Sequence, residues 1–196
     1  MTIAYQPDIL GTIPGLPDDI FDHDGLITKR HVRATAFAFL RPAGNQLLWD
    51  LGTGSGAIAI EWCLAAADTR AIGVEKNPVR ANRANQNASR LGVSDRMQVV
   101  EGRSIDKIAD LPDPDAVFIG GGATAEVIAA TLPRIKTGGR LVIHAVTLET
   151  EQVLFNAYKE HGGDLSRMEV SSIEAIGTFT GWHPARPITQ WVWQAN

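Results

Sequence analysis

Three glycines stand at alternate positions, Gly52, Gly54 and Gly56, in the stretch "LLWDLGTGSGAIAIEW" that spans residues 47–62. Glycine tolerates positive φ and places no side chain between a ligand and the backbone N–H groups, so such a loop is suited to cradle a polar molecule. The spacing is G-x-G-x-G, with Ala57 where the dinucleotide fingerprint carries its third glycine. No G-K-[ST] follows, which excludes a phosphate P-loop. A second element of the same chemistry is Glu75, in "AIGVEKNP". A carboxylate at the end of the second strand can accept hydrogen bonds from both hydroxyls of an adenosine ribose, in nicotinamide dinucleotides and in S-adenosylmethionine alike.

Other chemistry-bearing residues are more scattered. Lys29, Arg30, Arg33 and Arg41 come with no acidic residue among them, although the chain as a whole carries a net charge of −4. That balance argues against a general nucleic-acid binder and leaves room for a locally positive cleft. Gly120, Gly121 and Gly122 form a run without side chains, able to admit a flat, bulky group and to offer N–H donors to a carboxylate. His144 follows at the end of a later apolar run. The single cysteine, Cys63, lies in the apolar stretch "AIAIEWCLAAA", reads as a small core residue and rules out an intrachain disulfide. No metal site is expected.

The elements that must hold these residues follow from periodicity. The 196 residues, 44% hydrophobic and 20% charged, suit one ordinary domain. No apolar run approaches a membrane span, and the N-terminus lacks a basic cluster followed by an apolar stretch, so the expected setting is the cytoplasm. Residues 1–16 read as an irregular lead-in or linker, and 17–196 as the folded domain. In "TKRHVRATAFAFLRPAG", Thr28 is placed to cap a helix whose Val32, Ala36, Phe39 and Leu40 recur at helical spacing. Strand-like runs at 46–51, 70–75, 96–101, 115–120 and 140–146 then alternate with helical patterns near 55–67, 78–92, 122–134 and 149–161. This alternation predicts an α/β fold with a parallel sheet wound on both faces. The tail, "SRMEVSSIEAIG" and "PITQWVWQA" joined by "TFTGWHPAR", predicts an antiparallel hairpin, giving seven strands with one reversed near the edge.

"DLGTGSG", "GVEKNP", "VVEGRS", "AVFIGGG" and "IKTGGRLV" occur in the order and spacing of class I S-adenosylmethionine-dependent methyltransferases, a resemblance that covers residues 46–196. Within that superfamily, "PDDIF", "LITKRHVRA", "FIGGG" and "AVTLET" resemble the decarboxylating precorrin carbon-15 methyltransferases of cobalamin biosynthesis, the family of CbiT and the carboxy-terminal half of CobL. The resemblance implies a Rossmann-like fold, S-adenosylmethionine as cofactor and a precorrin-type tetrapyrrole as substrate, methylated at carbon 15 with loss of the ring C acetate carboxyl. It assigns the cofactor to Thr28, the loop Gly52, Thr53, Gly54, Ser55 and Gly56, Glu75 with Lys76 beside it, and Ser104. Arg103 stands where many superfamily members have an aspartate for adenine. For the polycarboxylate substrate the candidates are Lys29, Arg30, Arg33, the glycines 120–122 and His144. No residue is singled out as catalytic. The family also implies a homotetramer and a second precorrin methyltransferase domain, fused or associated, with no nucleic-acid or membrane partner. Two other readings stay open: a tRNA or protein methyltransferase, and a non-catalytic cofactor-binding module of a fusion protein.

Overall fold

The computed structural model describes residues 14–196; residues 1–13 of the expected lead-in lie outside the described residues. The apolar runs form the strands β1 (Leu47–Leu51), β2 (Arg70–Glu75), β3 (Met97–Glu101), β4 (Ala116–Ile119) and β5 (Arg140–Ala145). Between and around them lie α1 (Arg30–Leu40), α2 (Ala57–Ala65), α3 (Pro78–Arg90), α4 (Ser104–Lys107), α5 (Ala125–Thr131) and α6 (Leu148–His161). Strands β6 (Asp164–Met168), β7 (Ser171–Ile176), β8 (Phe179–Pro184) and β9 (Ile188–Gln194) complete the chain. The main sheet has seven strands in the order β3-β2-β1-β4-β5-β9-β6. Its first five strands are mutually parallel, and β9 runs antiparallel to both β5 and β6.

Strands buried on both faces need apolar residues at every position, and their alternation sends neighbours into two cores. Leu48, Ala71, Met97, Phe118 and Val142 face one core with residues of α1, α2 and α3. Trp49, Leu51, Val74, Ile119, Ile143 and Trp191 face the other, with Val127, Ile128 and Leu154 of α5 and α6. Side-chain caps fix helix starts: Asn77 accepts from the N–H groups of Val79 and Arg80 at α3, Thr124 from Val127 at α5, and Thr147 from Thr150 at α6. Thr28 does not cap α1; the helix begins at Arg30 with Lys29 as its N-cap residue and without a side-chain cap.

The tail departs from the expected simple hairpin. "TFTGWHPAR" holds a strand of its own, β8, which pairs with β7 as a separate two-stranded sheet turned at Gly177, whose φ of +61° suits glycine. Of the three tail tryptophans, Trp191 is fully buried and donates to the Gly162 carbonyl at 2.9 Å, and Trp193 is partly buried against the same core. Trp182, in β8, is the exposed one.

Candidate active site

The strand order reverses between β1 and β4, and the crevice beyond their carboxyl ends is where an open parallel sheet binds ligands. The glycine loop lies there. Gly52, Gly54 and Gly56 have φ of +79°, +57° and +81°. The loop's N–H groups are largely spent on the protein: Gly52 and Thr53 donate to the Val74 carbonyl, Gly54 to Glu75 Oε2 at 3.0 Å, and Gly56 to the Thr53 carbonyl. The loop thus supplies room more than donors. A Cβ on Gly52 would approach the Gly121 carbonyl to 3.1 Å, so the two glycine-rich loops touch backbone to backbone at the switch point. Gly56 answers to packing, since its Cβ would lie 3.0 Å from Met97 Cε and 3.2 Å from Ala84 Cβ.

Behind the loop stands Asp50, a residue the sequence reading passed over. It is buried and its Oδ2 accepts from the Thr53 hydroxyl at 2.6 Å and from the Ala59 N–H at 3.2 Å. Burial, against those two hydrogen bonds and with a small push from Glu75, raises its pKa to about 7. Thr53 in turn covers Gly73, where a Cβ would meet its Cγ2 at 2.8 Å.

Glu75 ends β2 as expected, nearly buried, with Oε1 accepting from the Asn77 N–H at 2.9 Å. Each oxygen therefore keeps a lone pair for a further donor. A Cβ added to Gly54 would come no closer than 3.8 Å to any neighbour, the Leu26 carbonyl. A buried carboxylate beside an uncrowded loop has the acceptors and the room that a ribose diol with a flexible chain needs. Lys76 and Arg103 are exposed, Ser104 is half-buried at the start of α4, and the Gly102 N–H donates to the Glu75 carbonyl, which joins the ends of β2 and β3. Across the mouth runs the segment Asp22–Thr28. Asp24 pairs with Arg80 at 2.8 Å and Arg83 at 3.4 Å, and Asn87 ties the Asp22 backbone to the Ser55 carbonyl. Nothing in the periodicity of α3 marks Asn87, a buried polar residue on its apolar face.

On the other side of the crevice Gly120, Gly121 and Gly122 are exposed, and a Cβ on Gly121 or Gly122 would meet no atom of the described residues within 4 Å. At Gly120 a Cβ would strike the Phe118 ring at 2.9 Å, with Thr28 Oγ1 at 3.7 Å. Thr28 thus reaches the switch point as expected of a site residue. The basic helix start is divided. Lys29 and Arg30 are exposed, with Lys29 Nζ 3.7 Å from Asp18. Arg33, expected to meet the substrate, is instead wholly buried: Nε is 2.7 Å from Glu61 Oε1, Nη1 is 2.7 Å from Asp18, and the guanidinium also donates to the carbonyls of Leu16 and Thr28. Glu61 further accepts from the N–H groups of Gly15 and Leu16, which draws the end of the lead-in onto the body.

His144, expected as a cation for substrate carboxylates, is buried, and desolvation pushes its pKa down to about 4. It is neutral at physiological pH. Its Nε2 lies 2.9 Å from Gln190 Oε1, and its ring stands edge-on to Phe118 with centroids 5.0 Å apart. Burial likewise pushes the Cys63 thiol up to about 12, which leaves it inert. Among the described residues no helix is long and apolar enough to cross a membrane, and no cluster of metal-ligating side chains forms.

Comparison with known proteins gives a consistent set of likenesses. Residues 19–195 match the family described as "Precorrin methyltransferase domain". A curated protein of Sinorhizobium sp, named "Precorrin-6Y C(5,15)-methyltransferase [decarboxylating]", is 47% identical over 94% of this chain and 45% of its own length. A protein of Saccharolobus solfataricus, named "Probable cobalt-precorrin-6B C(15)-methyltransferase (decarboxylating)", is 33% identical over 76% of this chain and 78% of its own. The crystal structure of the C-terminal domain of precorrin-6Y C5,15-methyltransferase from Rhodobacter capsulatus superposes with a TM-score of 0.89 at 42% identity, covering 93% of this chain and 98% of that one. The chain spans about half the length of the first curated relatives it matches.

Proposed function

We infer the activity of this chain from its kinship: it belongs to the precorrin methyltransferase family, and it moves a methyl group from S-adenosylmethionine to carbon 15 of a precorrin-type tetrapyrrole, with loss of the ring C acetate carboxyl as carbon dioxide. The observation that carries this reading is the 47% identity, over 94% of the chain, to a relative whose name includes both methyl transfer and decarboxylation. The choice of carbon 15 alone draws on the Saccharolobus relative, which the chain spans over 78% of its length and whose name has no second carbon. In the longer relatives the remaining half would correspond to the second methyltransferase domain, fused or associated.

Glu75 and the uncrowded face of Gly54 hold the ribose and methionine chain, Thr28 and Ser104 border them, and Lys76 and Arg103 stand at the rim. The bound cofactor supplies an activated sulfonium methyl. The protein's share is alignment, because holding two reactants within bonding reach replaces much of the entropy that a bimolecular step must lose. Glycines 120–122 leave the face above the sheet open to a broad macrocycle, while Lys29 and Arg30 provide exposed cations for its carboxylates. Calorimetry with S-adenosylhomocysteine and NAD, followed by an assay of methyl transfer to tetrapyrrole acceptors, tests the reading. Binding of NAD alone would overturn it. Glu75→Ala should weaken S-adenosylhomocysteine by about 1–3 kcal/mol, from two lost hydrogen bonds to a charged acceptor, and should also lower the unfolding temperature, because the Gly54 and Asn77 N–H groups lose their acceptor.

The same reading includes a homotetramer. In the β7–β8 sheet Ile173 pairs with Trp182 and Ile176 with Phe179, and all four side chains are 64–78% exposed. An isolated two-stranded sheet is marginal in water, and large exposed apolar groups at this density support a contact with another subunit. Phe179→Glu combined with Trp182→Glu should yield monomers by light scattering at micromolar concentration. An unchanged mass would remove the hairpin from the interface.

A further inference from the structure

We propose, resting on the decarboxylating reading above, that His144 is the proton carrier of the carbon dioxide loss and that Gln190 is the residue that sets its tautomer. The geometry has three parts. Gln190 Oε1 can only accept, so the 2.9 Å contact places a proton on His144 Nε2 and leaves Nδ1 as a bare lone pair. Nδ1 is buried and has no hydrogen-bond partner among the described residues. Finally, register puts His144 at the acceptor side of the crevice: Ile143 pairs with Ile119, so His144 stands level with Gly120, the first of the three side-chain-free residues. The Phe118 ring, which would meet a Cβ on Gly120, stands against the imidazole and keeps its surroundings apolar.

No other titratable side chain is present in the segments that form this lip, 118–123, 143–148 and 188–191. An unpartnered buried lone pair is costly unless something completes it, and a carboxylic acid O–H does so. The step balances without a further reagent. The acetate O–H proton passes to Nδ1, and the bond between the methylene carbon and the carboxyl carbon breaks. Carbon dioxide leaves, and the bond's electron pair enters the conjugated macrocycle. Nδ1–H then returns the proton to the methylene carbon, which becomes a methyl group, and the neutral imidazole is restored. Burial pushes the imidazole pKa down to about 4 and pushes that of an acetate held beside it up, so in this dry lip both groups are neutral and the acetate enters as its acid, taking its proton from solvent as it binds. A dry, apolar lip also favours a step that disperses carboxylate charge.

Steady-state release of carbon dioxide from a tetrapyrrole acceptor tests the assignment, with calorimetry of S-adenosylhomocysteine as the control for folding. His144→Asn keeps a hydrogen-bonding atom close to the Nδ1 position but cannot carry a proton at this pKa, whereas His144→Leu keeps neither. Both should lower kcat about 100-fold or more, within the usual range for proton transfer by a side chain, with the acceptor KM and cofactor affinity within about threefold. Gln190→Leu leaves the imidazole but frees its tautomer, and should lower kcat about tenfold with KM unmoved. Near-normal turnover by His144→Asn beside a poor His144→Leu would make the residue a hydrogen-bonding group and overturn the proposal. Equal turnover in all three variants, or a raised KM with kcat retained, would do the same. A parent protein that binds S-adenosylhomocysteine but releases no carbon dioxide from any tetrapyrrole would instead overturn the functional reading on which the proposal rests.

Discussion

Replacing Arg33 by methionine lowers the unfolding free energy at pH 7 by about 3–5 kcal/mol, the usual cost of removing one partner of a buried ion pair. The guanidinium is wholly enclosed and donates to Glu61, to Asp18 and to two backbone carbonyls, with the Phe21 ring 5.0 Å beneath it. Its removal leaves the Glu61 carboxylate, 1% exposed, with only the Gly15 and Leu16 N–H groups among the described residues. Burial already pushes the Glu61 pKa up against the pull of Arg33, and without Arg33 it rises further. The sign follows from linkage. A carboxyl whose folded pKa is raised contributes stability that is fully present below its unfolded value and is lost as pH rises through the folded one. The deficit of Arg33→Met should therefore shrink as pH falls toward 4.5, the ordinary glutamate value, and widen above it. Urea unfolding at several pH values measures this. Adding Glu61→Leu should restore most of the loss, as replacement of a whole buried pair by apolar groups often does. A single variant within about 1 kcal/mol of the parent, or a deficit flat in pH, would refute the account.

Arg33 also shows where sequence reasoning stopped short. The buried residues of α1 are 32, 33, 36, 37 and 40, and 33, 36, 37 and 40 among them follow a helical i, i+3, i+4, i+7 pattern with arginine in its first place. Read as one of a run of cations, Arg33 belongs with Lys29 and Arg30; read by period, it belongs with Ala36 and Phe37. The complementary signal was Glu61, the lone acid in an otherwise apolar helix, which can be buried only beside a cation. In the main sheet period and local chemistry agreed. The five parallel strands, the glycine loop and Glu75 lie where their patterns predict, because a doubly covered strand must be apolar throughout and a switch-point loop must be small. Pairings between distant residues carry no such local mark. Gln190 and His144 are 46 positions apart, and Asn87 meets Asp22 across 65. Neither contact is visible before β9 is placed beside β5 and the Asp22–Thr28 segment beside α3.

Asp50→Asn should remove a pH dependence worth roughly 4 kcal/mol, about three pKa units at 1.36 kcal/mol each. The folded pKa of about 7 stands well above the ordinary 3.8, chiefly through burial. The stability contributed by the protonated form is thus complete below pH 3.8 and declines as pH rises through 7. The parent should lose stability relative to Asp50→Asn between about pH 4 and pH 8, with the steepest change between those two pKa values. An asparagine can still accept from the Ala59 N–H and exchange a hydrogen bond with Thr53, so the loop keeps its shape and S-adenosylhomocysteine binding at pH 6 should change little. Asp50→Leu supplies neither hydrogen bond and should lose cofactor affinity as the Thr53 turn loosens. Parallel stability curves for parent and Asp50→Asn across this range would show that the carboxyl ionises in the fold as freely as outside it.

The place of β9 sets the order in which this molecule can be finished. It fills an interior slot, antiparallel to β5 on one side and to β6 on the other, although it comes later in the chain than the other six strands of the sheet. A nascent chain therefore carries two unsatisfied strand edges, and an empty seat for Trp191, while residues 164–188 are added. At ordinary elongation rates of about 5–20 residues per second that interval lasts roughly 1–5 s. Through it the growing polypeptide offers backbone to any neighbouring strand, so folding yield in the cell depends on how far apart successive ribosomes keep their chains.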